Sequence, residues 1–232
     1  MNWRRAVVIG ASGGIGGALA DGLEARGTEV VRLSRSASDP TLRIDLLDED
    51  SIAACAARIA EGSAPDLVIV ATGYLHGDGE GPEKDWRQLD ANHLARNFAI
   101  NATGPALVAK HFLPLLPDGG RSGFAVLSAR VGSISDNRLG GWYGYRASKA
   151  ALNMLVRTLS VELKRKKPDA FCVALHPGTV DTDLSAPFQR GVAEGKLFAP
   201  QYSADKLLEV LGAVTNEQSG RMFAWDGEEI AP

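Results

Sequence analysis

Apolar residues along the chain fall into two kinds of segment. Ala6–Ile9, Asp66–Ala71 (DLVIVA), Phe124–Leu127 and Ala170–Leu175 are short, almost unbroken apolar runs, and Thr28–Ser34, Thr41–Ile44 and the stretch near Met222–Trp225 add β-branched or aromatic segments of strand length. Between them apolar positions recur at helical spacing: through Leu19, Leu23 and Ala25, in Ser51–Ala60, around Trp86–Leu94, across Phe98–Leu116, through Ala147, Ala151, Leu155, Leu159 and Leu163, and around Ala204–Val214. Asp48, Glu49 and Asp50 lie at the positive end of the second of these helices, and Pro105 is placed near a helix start or kink. A loop rich in glycine and acid, His76–Glu83, interrupts the pattern. Strands that are apolar throughout, alternating with helices, predict a parallel sheet covered on both faces: a doubly wound α/β fold. No repeat, low-complexity tract or linker divides the 232 residues, so one domain is expected over residues 1–232.

Composition narrows the function classes. With 25 Lys+Arg against 28 Asp+Glu, the net charge of −3 carries no basic excess for nucleic acid or an anionic membrane. The run Lys164-Arg165-Lys166-Lys167 ends a helical pattern, where cations offset the helix dipole. The two cysteines, Cys55 and Cys172, and the four histidines stand at no metal-ligand spacing, so neither a disulfide framework nor a bound metal is expected. Arg4, Arg5 and the apolar stretch ending in Ala18-Leu19-Ala20 imitate a secretion signal, but five glycines between Gly10 and Gly17 interrupt it. The expected location is the cytoplasm.

The run Val7-Val8-Ile9-Gly10-Ala11-Ser12-Gly13-Gly14-Ile15-Gly16 joins the first strand to the first helix. Glycines in that position let the main chain turn tightly and bring a helix N-terminus against a pyrophosphate. The spacing is GxxxGxG, on Gly10, Gly14 and Gly16, and not the GxGxxG of many dinucleotide folds. After the second strand, where an acidic residue would hold the ribose 2′-hydroxyl of NAD, the chain has Ser34 and Arg35. A guanidinium suits a 2′-phosphate, so the loop leans toward NADP; a solvated surface arginine is the competing reading. Asp45, after the third strand, is a candidate for the adenine amino group or for a turn cap.

Tyr145 and Lys149 stand four residues apart at the head of a helix and so project from one face. An ammonium beside a phenol stabilises the phenolate and draws its pKa toward the working range. Tyr143, six residues from Lys149, cannot share that face.

These motifs, with Asn101 between them and Pro177-Gly178-Thr179-Val180-Asp181-Thr182 downstream, occur in an order that resembles the short-chain dehydrogenase/reductase family over essentially the whole chain. SARVGSISDN, YRASKAALN and DGEEI are most similar to its C-factor-like and small carbonyl reductase subgroup. The resemblance implies a Rossmann-type sheet of about seven parallel strands. It also implies hydride transfer between NAD(P) and a carbonyl or alcohol. Tyr145 would be the proton donor, Lys149 the holder of the nicotinamide ribose, and Asn101 the support of a proton-relay water. The cofactor would lie along Gly10, Ser12, Gly13, Gly14, Ile15, Gly16, Ser34, Arg35, Asp45, Leu46, Ala71, Gly73 and Lys149. Pro177, Gly178, Val180 and Thr182 would grip its carboxamide. Asp183–Pro200, with Leu184, Phe188, Arg190, Leu197 and Phe198, would be a substrate lid or else a mobile surface segment, and the chain would form a homodimer or homotetramer.

Three departures qualify the resemblance. The family's NNAG appears as Val70-Ala71-Thr72-Gly73, which keeps the glycine but loses a strand-tying asparagine. The catalytic serine after the fifth strand of the family pattern falls on Ala129, leaving Ser133, then Ser128, as substitute donors. The stretch before Tyr145 is a few residues longer than usual. Two functions from different classes follow: an NADP-dependent oxidoreductase acting on a small or medium carbonyl compound, and a dinucleotide-binding signalling or regulatory protein with little turnover. A nucleotide-binding methyltransferase is disfavoured by the YxxxK pair and the Pro-Gly turn.

Overall fold

The computed structural model describes residues 3–77 and 81–232. Residues 78–80, in the expected glycine- and acid-rich loop, lie outside the described set. The chain runs β1 (Arg5–Ile9), α1 (Gly14–Ala25), β2 (Glu29–Leu33), α2 (Glu49–Ala60), β3 (Leu67–Val70), α3 (Ala91–Phe98), α4 (Gly104–Phe112), β4 (Ser122–Leu127), α5 (Tyr143–Lys166), β5 (Ala170–His176), β6 (Thr179–Val180), β7 (Leu197–Phe198), α6 (Pro200–Ala213), β8 (Met222–Ala224) and β9 (Glu229–Ile230).

The main sheet has seven strands in the order β2-β1-β3-β4-β5-β8-β9. Side chains alternate between two cores. Val7 and Ile9 of β1 face α2, α4 and α5, packing with Ile52, Val108, Phe112 and Val156. Ala6 and Val8 face α1 and α6, packing with Leu19, Leu23, Leu207 and Leu211. Burial on both faces explains why the strands show no polar alternation. The chain leaves β1 for β2 on one side and returns to β3 on the other, so a crevice opens at the carboxyl ends of β1 and β3, where ligands of such sheets bind.

The expected all-parallel sheet is corrected at its edge, where β9 pairs antiparallel with β8. Only the turn 225–228 joins them, closed by Gly227 N–H on Ala224 O with Gly227 at φ +87°, and so tight a link permits only an antiparallel neighbour. The strand expected at Thr41–Ile44 is also absent. Pro40–Leu42 is a 3-10 turn capped by the Asp39 carboxylate on Thr41 N–H, and a lone Ser34–Arg43 bridge is all that remains of the pairing. The helix expected at Phe98–Leu116 begins earlier, at Ala91 under an Asp90 cap, and passes through a π turn at Ala99–Thr103 before Pro105 opens α4. No helix among the described residues is long and apolar enough to cross a membrane, and no group of three or more His, Cys, Asp or Glu is gathered there for a metal.

Candidate active site

A groove of about 450 Å³ runs along the carboxyl ends of β1 and β3, past the Gly10–Gly13 loop at one end and Tyr74, His76 and Leu184 at the other. Its glycine wall is set by main-chain contacts. Gly10 sits at φ +88°, and a Cβ on Gly16 would lie 2.2 Å from Gly10 O, so the turn closes only with hydrogen at that position. A Cβ on Gly14 would lie 2.8 Å from Thr182 Cγ2, which brings the first turn of α1 against the Pro177–Thr182 segment. The N-terminus of α1 carries no side-chain cap and no acid, so its first N–H groups are left for an anion. Thr72 Oγ1, in the groove wall, is buried without a hydrogen-bond partner. A phosphate-bearing dinucleotide fits this donor set.

Ser34 and Arg35 line the same groove beyond the glycine loop, with Asp45 and Leu46. Ser34 is buried, whereas Arg35 is exposed and makes no hydrogen bond or ion pair among the described residues. Asp45 accepts from Leu47 N–H at 3.0 Å, so one carboxylate oxygen caps a turn while the residue still lines the groove. Ala71 and Gly73 also line the groove.

Gly73 is also where two of the acid–base candidates, Asn101 and Lys149, meet. A Cβ built on it would stand 3.8 Å from Asn101 Oδ1, 3.8 Å from Lys149 Nζ and 3.9 Å from Leu184 Cδ2. Lys149 Nζ donates to Leu127 O at 2.8 Å and lies 5.7 Å from the Tyr145 ring centroid. Tyr145 Oη has no hydrogen bond among the described residues. Burial pushes its phenol up to about 12 and brings the Lys149 ammonium down to about 7. The protein alone therefore does not depress the phenol as the pair's spacing suggests; loss of hydration outweighs an amine that is itself driven toward its neutral form.

Asn101 sits in the π turn, fully buried, with both ends of its amide engaged. Oδ1 accepts from Tyr74 N–H at 2.8 Å, and Nδ2 donates to Tyr74 O at 2.7 Å and to Ser148 Oγ at 3.1 Å. It thereby ties the segment after β3 to the helices. Pro177 O accepts from Ser203 Oγ, and Gly178, at φ +79°, faces the Phe198 ring at 2.6 Å from its would-be Cβ. Val180 pairs with Phe198 in a small two-stranded sheet, and Val180 O accepts from the hydroxyls of Ser185 and Thr182.

The serines are placed apart from Tyr145 in hydrogen bonding. Ser128 Oγ donates to Asn153 Oδ1 at 2.7 Å. Ser133 Oγ accepts from Asp136 N–H at 3.2 Å and is 3.4 Å from Ser135 Oγ. Of the expected lid residues, Leu184 reaches the groove, and Phe188 packs edge-on against Trp142 and His76 at 5.1 and 5.6 Å. Phe198 instead meets Trp225 edge-on at 4.6 Å, and Leu197 and Arg190 are exposed. Sequence reasoning missed Trp142, which meets Tyr145 edge-on at 6.3 Å and holds a left-handed backbone at φ +54°. It also missed His76, whose Nε2 lies 3.1 Å from Leu184 O. The run Gly140-Gly141, both at positive φ, is the signal that marks this turn.

The model of the short chain dehydrogenase family matches residues 4–193. C-signal of Myxococcus xanthus is 41% identical over 143 residues, covering 61% of this chain and 80% of that protein. The 1-hydroxy-2-glutathionyl-2-methyl-3-butene dehydrogenase of Rhodococcus sp. strain AD45 is 33% identical over 230 residues, covering 95% and 96%. Among solved structures, NADPH-bound carbonyl reductase from chicken fatty liver superposes with a TM-score of 0.86 at 26% identity, covering 100% of this chain and 95% of that one. A carbonyl reductase from Pseudomonas aeruginosa gives 0.79 at 27% identity, covering 99% and 100%.

Proposed function

The chain belongs to the short-chain dehydrogenase family of NAD(P)-dependent oxidoreductases, and from that premise we propose that it reduces small or medium carbonyl compounds with NADPH, Tyr145 donating the proton. The observation that carries this reading is the convergence of Lys149, Asn101 and Leu184 on Gly73, at one end of a groove whose other end exposes an unpaired Arg35, with Lys149 in turn beside the Tyr145 ring. Arg35 would hold a ribose 2′-phosphate, the N-terminus of α1 the pyrophosphate, and Val180 and Thr182 the carboxamide. The bound cofactor supplies the hydride. Tyr145, protonated across the whole neutral range, gives its proton to the carbonyl oxygen, and Lys149 holds the ribose hydroxyls beside it. Because the Asn101 amide is consumed by Tyr74 and Ser148, its relay role falls to the main-chain carbonyl of the π turn. Ser133 is the better second donor to the carbonyl. Its proton meets only the long contact to Ser135, whereas Ser128 spends its own on Asn153.

Asp183–Pro200 would close over the substrate through Leu184 and Phe188, with Phe198 as its anchor on Trp225. Assembly into a homodimer or homotetramer would use α5, where Met154 and Val161 are exposed; Phe112, fully buried, belongs to the core. Light scattering at micromolar concentration tests this, a monomer being the contrary result. C-signal, at 41% identity, together with Ala129 favours the second reading, a dinucleotide-binding regulator with little turnover. A screen of NADPH consumption over aldehydes, ketones and diketones separates the two. Turnover that falls by about 10²–10⁴ in Tyr145→Phe supports the reductase; tight NADPH binding without turnover on any carbonyl supports the regulator.

A further inference from the structure

The helix that carries Tyr145 and Lys149 begins without a side-chain cap of its own: Trp142, its N-cap residue, offers no acceptor. An uncapped helix leaves its first N–H groups unsatisfied, a cost that rises with burial. Here the acceptor comes from 61 residues away. Both carboxylate oxygens of Glu83 accept from Gly144 N–H, at 3.3 and 3.2 Å, and the Glu83 main-chain carbonyl accepts from Trp142 N–H. Glu83 is 3% exposed, an unusual depth for a carboxylate, and His93 Nε2 approaches it at 3.9 Å.

Three further observations show that the site is built around this carboxylate. Gly144 lets the carboxylate approach closely, since a Cβ there would stand 3.0 Å from Glu83 Oε1 and 3.1 Å from Asn97 Nδ2 and would press both aside. Trp142 holds a left-handed backbone, the one non-glycine positive φ among the described residues. Such a conformation persists only where the surroundings over-determine it; here the Glu83 carbonyl on its N–H does so. Beyond Gly144 the polar contacts continue inward. Asn97 Oδ1 accepts from Asn101 Nδ2 at 3.3 Å, Asn101 Nδ2 also meets Ser148 Oγ, and Ser148 Oγ donates to Tyr145 O at 2.9 Å. Asn97, Asn101 and Ser148 are all fully buried.

We propose that Glu83 is a positioning residue for Tyr145: its carboxylate caps the catalytic helix from outside and its carbonyl pins Trp142, so that the phenol is presented at a fixed height against the groove. The proposal rests on the reductase reading given above. Tyr145 is the third residue of α5, inside the turn that Glu83 holds, so a released N-terminus moves the phenol directly, while no hydrogen bond among the described residues links Glu83 to the glycine loop before α1.

The test compares Glu83→Ala with Glu83→Gln, which keeps an acceptor oxygen for Gly144 N–H. Both are assayed with NADPH and with NADPH deuterated at the transferred hydrogen. Glu83→Ala is expected to lower kcat by roughly tenfold to a hundredfold, to leave the Kd for NADPH unchanged, and to raise the isotope effect on kcat because the chemical step has slowed. Glu83→Gln is expected to restore most of the kcat and the wild-type isotope effect. A variant that merely folds less well loses active molecules, and its isotope effect does not move; that outcome overturns the proposal, as does a Glu83→Ala protein with wild-type kcat. If Glu83→Ala fails to fold, Glu83→Asp, which withdraws the carboxylate by one methylene, carries the same comparison. A wild-type protein without turnover overturns the reductase reading and this proposal with it, whereas an active wild type beside an unaffected Glu83→Ala overturns the proposal alone.

Discussion

The two ends of the groove are built from different materials. At the nucleotide end the main chain makes the site: Gly10 and Gly16 meet at a distance that no Cβ allows, α1 begins with unsatisfied N–H groups, and Arg35 and Asp45 add charge at the rim. At the catalytic end buried polar side chains from four segments make it, with Lys149, Asn101, Asn97, Ser148 and Glu83 almost without exposure. A main-chain site tolerates no change of backbone shape but is indifferent to most side chains. A side-chain site fails one hydrogen bond at a time and is sensitive to pH. Substitutions at the two ends should therefore separate binding from chemistry.

The largest effect is expected from Gly16→Ala. With its methyl 2.2 Å from Gly10 O, the turn must open, and NADPH binding should disappear from a fluorescence titration while α5 stays intact by circular dichroism. An ordinary titration curve would show that the main chain is not the site. Next is Ser133→Ala, expected to lower turnover by about 10²–10³ with NADPH affinity nearly unchanged. If Ser128→Ala costs more than Ser133→Ala, the donor assignment is reversed.

Lys149 sharpens the comparison through pH. Its amine is brought down to about 7 in the folded protein from an ordinary 10.5, so the unfolded chain binds more protons in between and stability rises with pH from 7 upward. Above pH 9 the opposite trend sets in, because burial raises Cys172 and Tyr145 to about 12 and the unfolded chain then loses their protons first. Between pH 7 and 9 urea unfolding should gain about 2–3 kcal/mol, and Lys149→Met should flatten that slope. A wild-type slope that survives the substitution would assign the effect elsewhere. The smallest effect belongs to Arg35→Ala. It should cost NADPH about 1.5–3 kcal/mol of affinity and leave NADH unaffected, in paired titrations. Equal losses for both cofactors would remove the 2′-phosphate from the account.

This division also governs what the sequence reveals. The glycine loop is legible because each glycine answers a local steric demand, and YxxxK because four residues span one helical turn. Glu83 is invisible in one dimension, since its partner Gly144 lies 61 residues away and neither residue has a motif around it. Trp142 shows only in the Gly140-Gly141 pair before it, as nothing in a tryptophan announces a left-handed backbone. The false strand at Thr41–Ile44 follows β-branched composition, which Asp39 and Pro40 override by closing a turn. Asn101 was legible as a residue but not as a tie, because its partner is the backbone of Tyr74, a residue that sequence offers no reason to single out.

In the proposed reductase Tyr145 carries the chemistry while the main chain around Gly10–Gly16 carries the cofactor. Single-turnover mixing of the protein, saturated with NADPH, against a carbonyl substrate found in the screen tests it most directly, wild type beside Tyr145→Phe. Loss of the phenol's proton should slow hydride transfer by about 10²–10⁴ at an unchanged Kd for NADPH. Hydride transfer at the wild-type rate in Tyr145→Phe would contradict the claim.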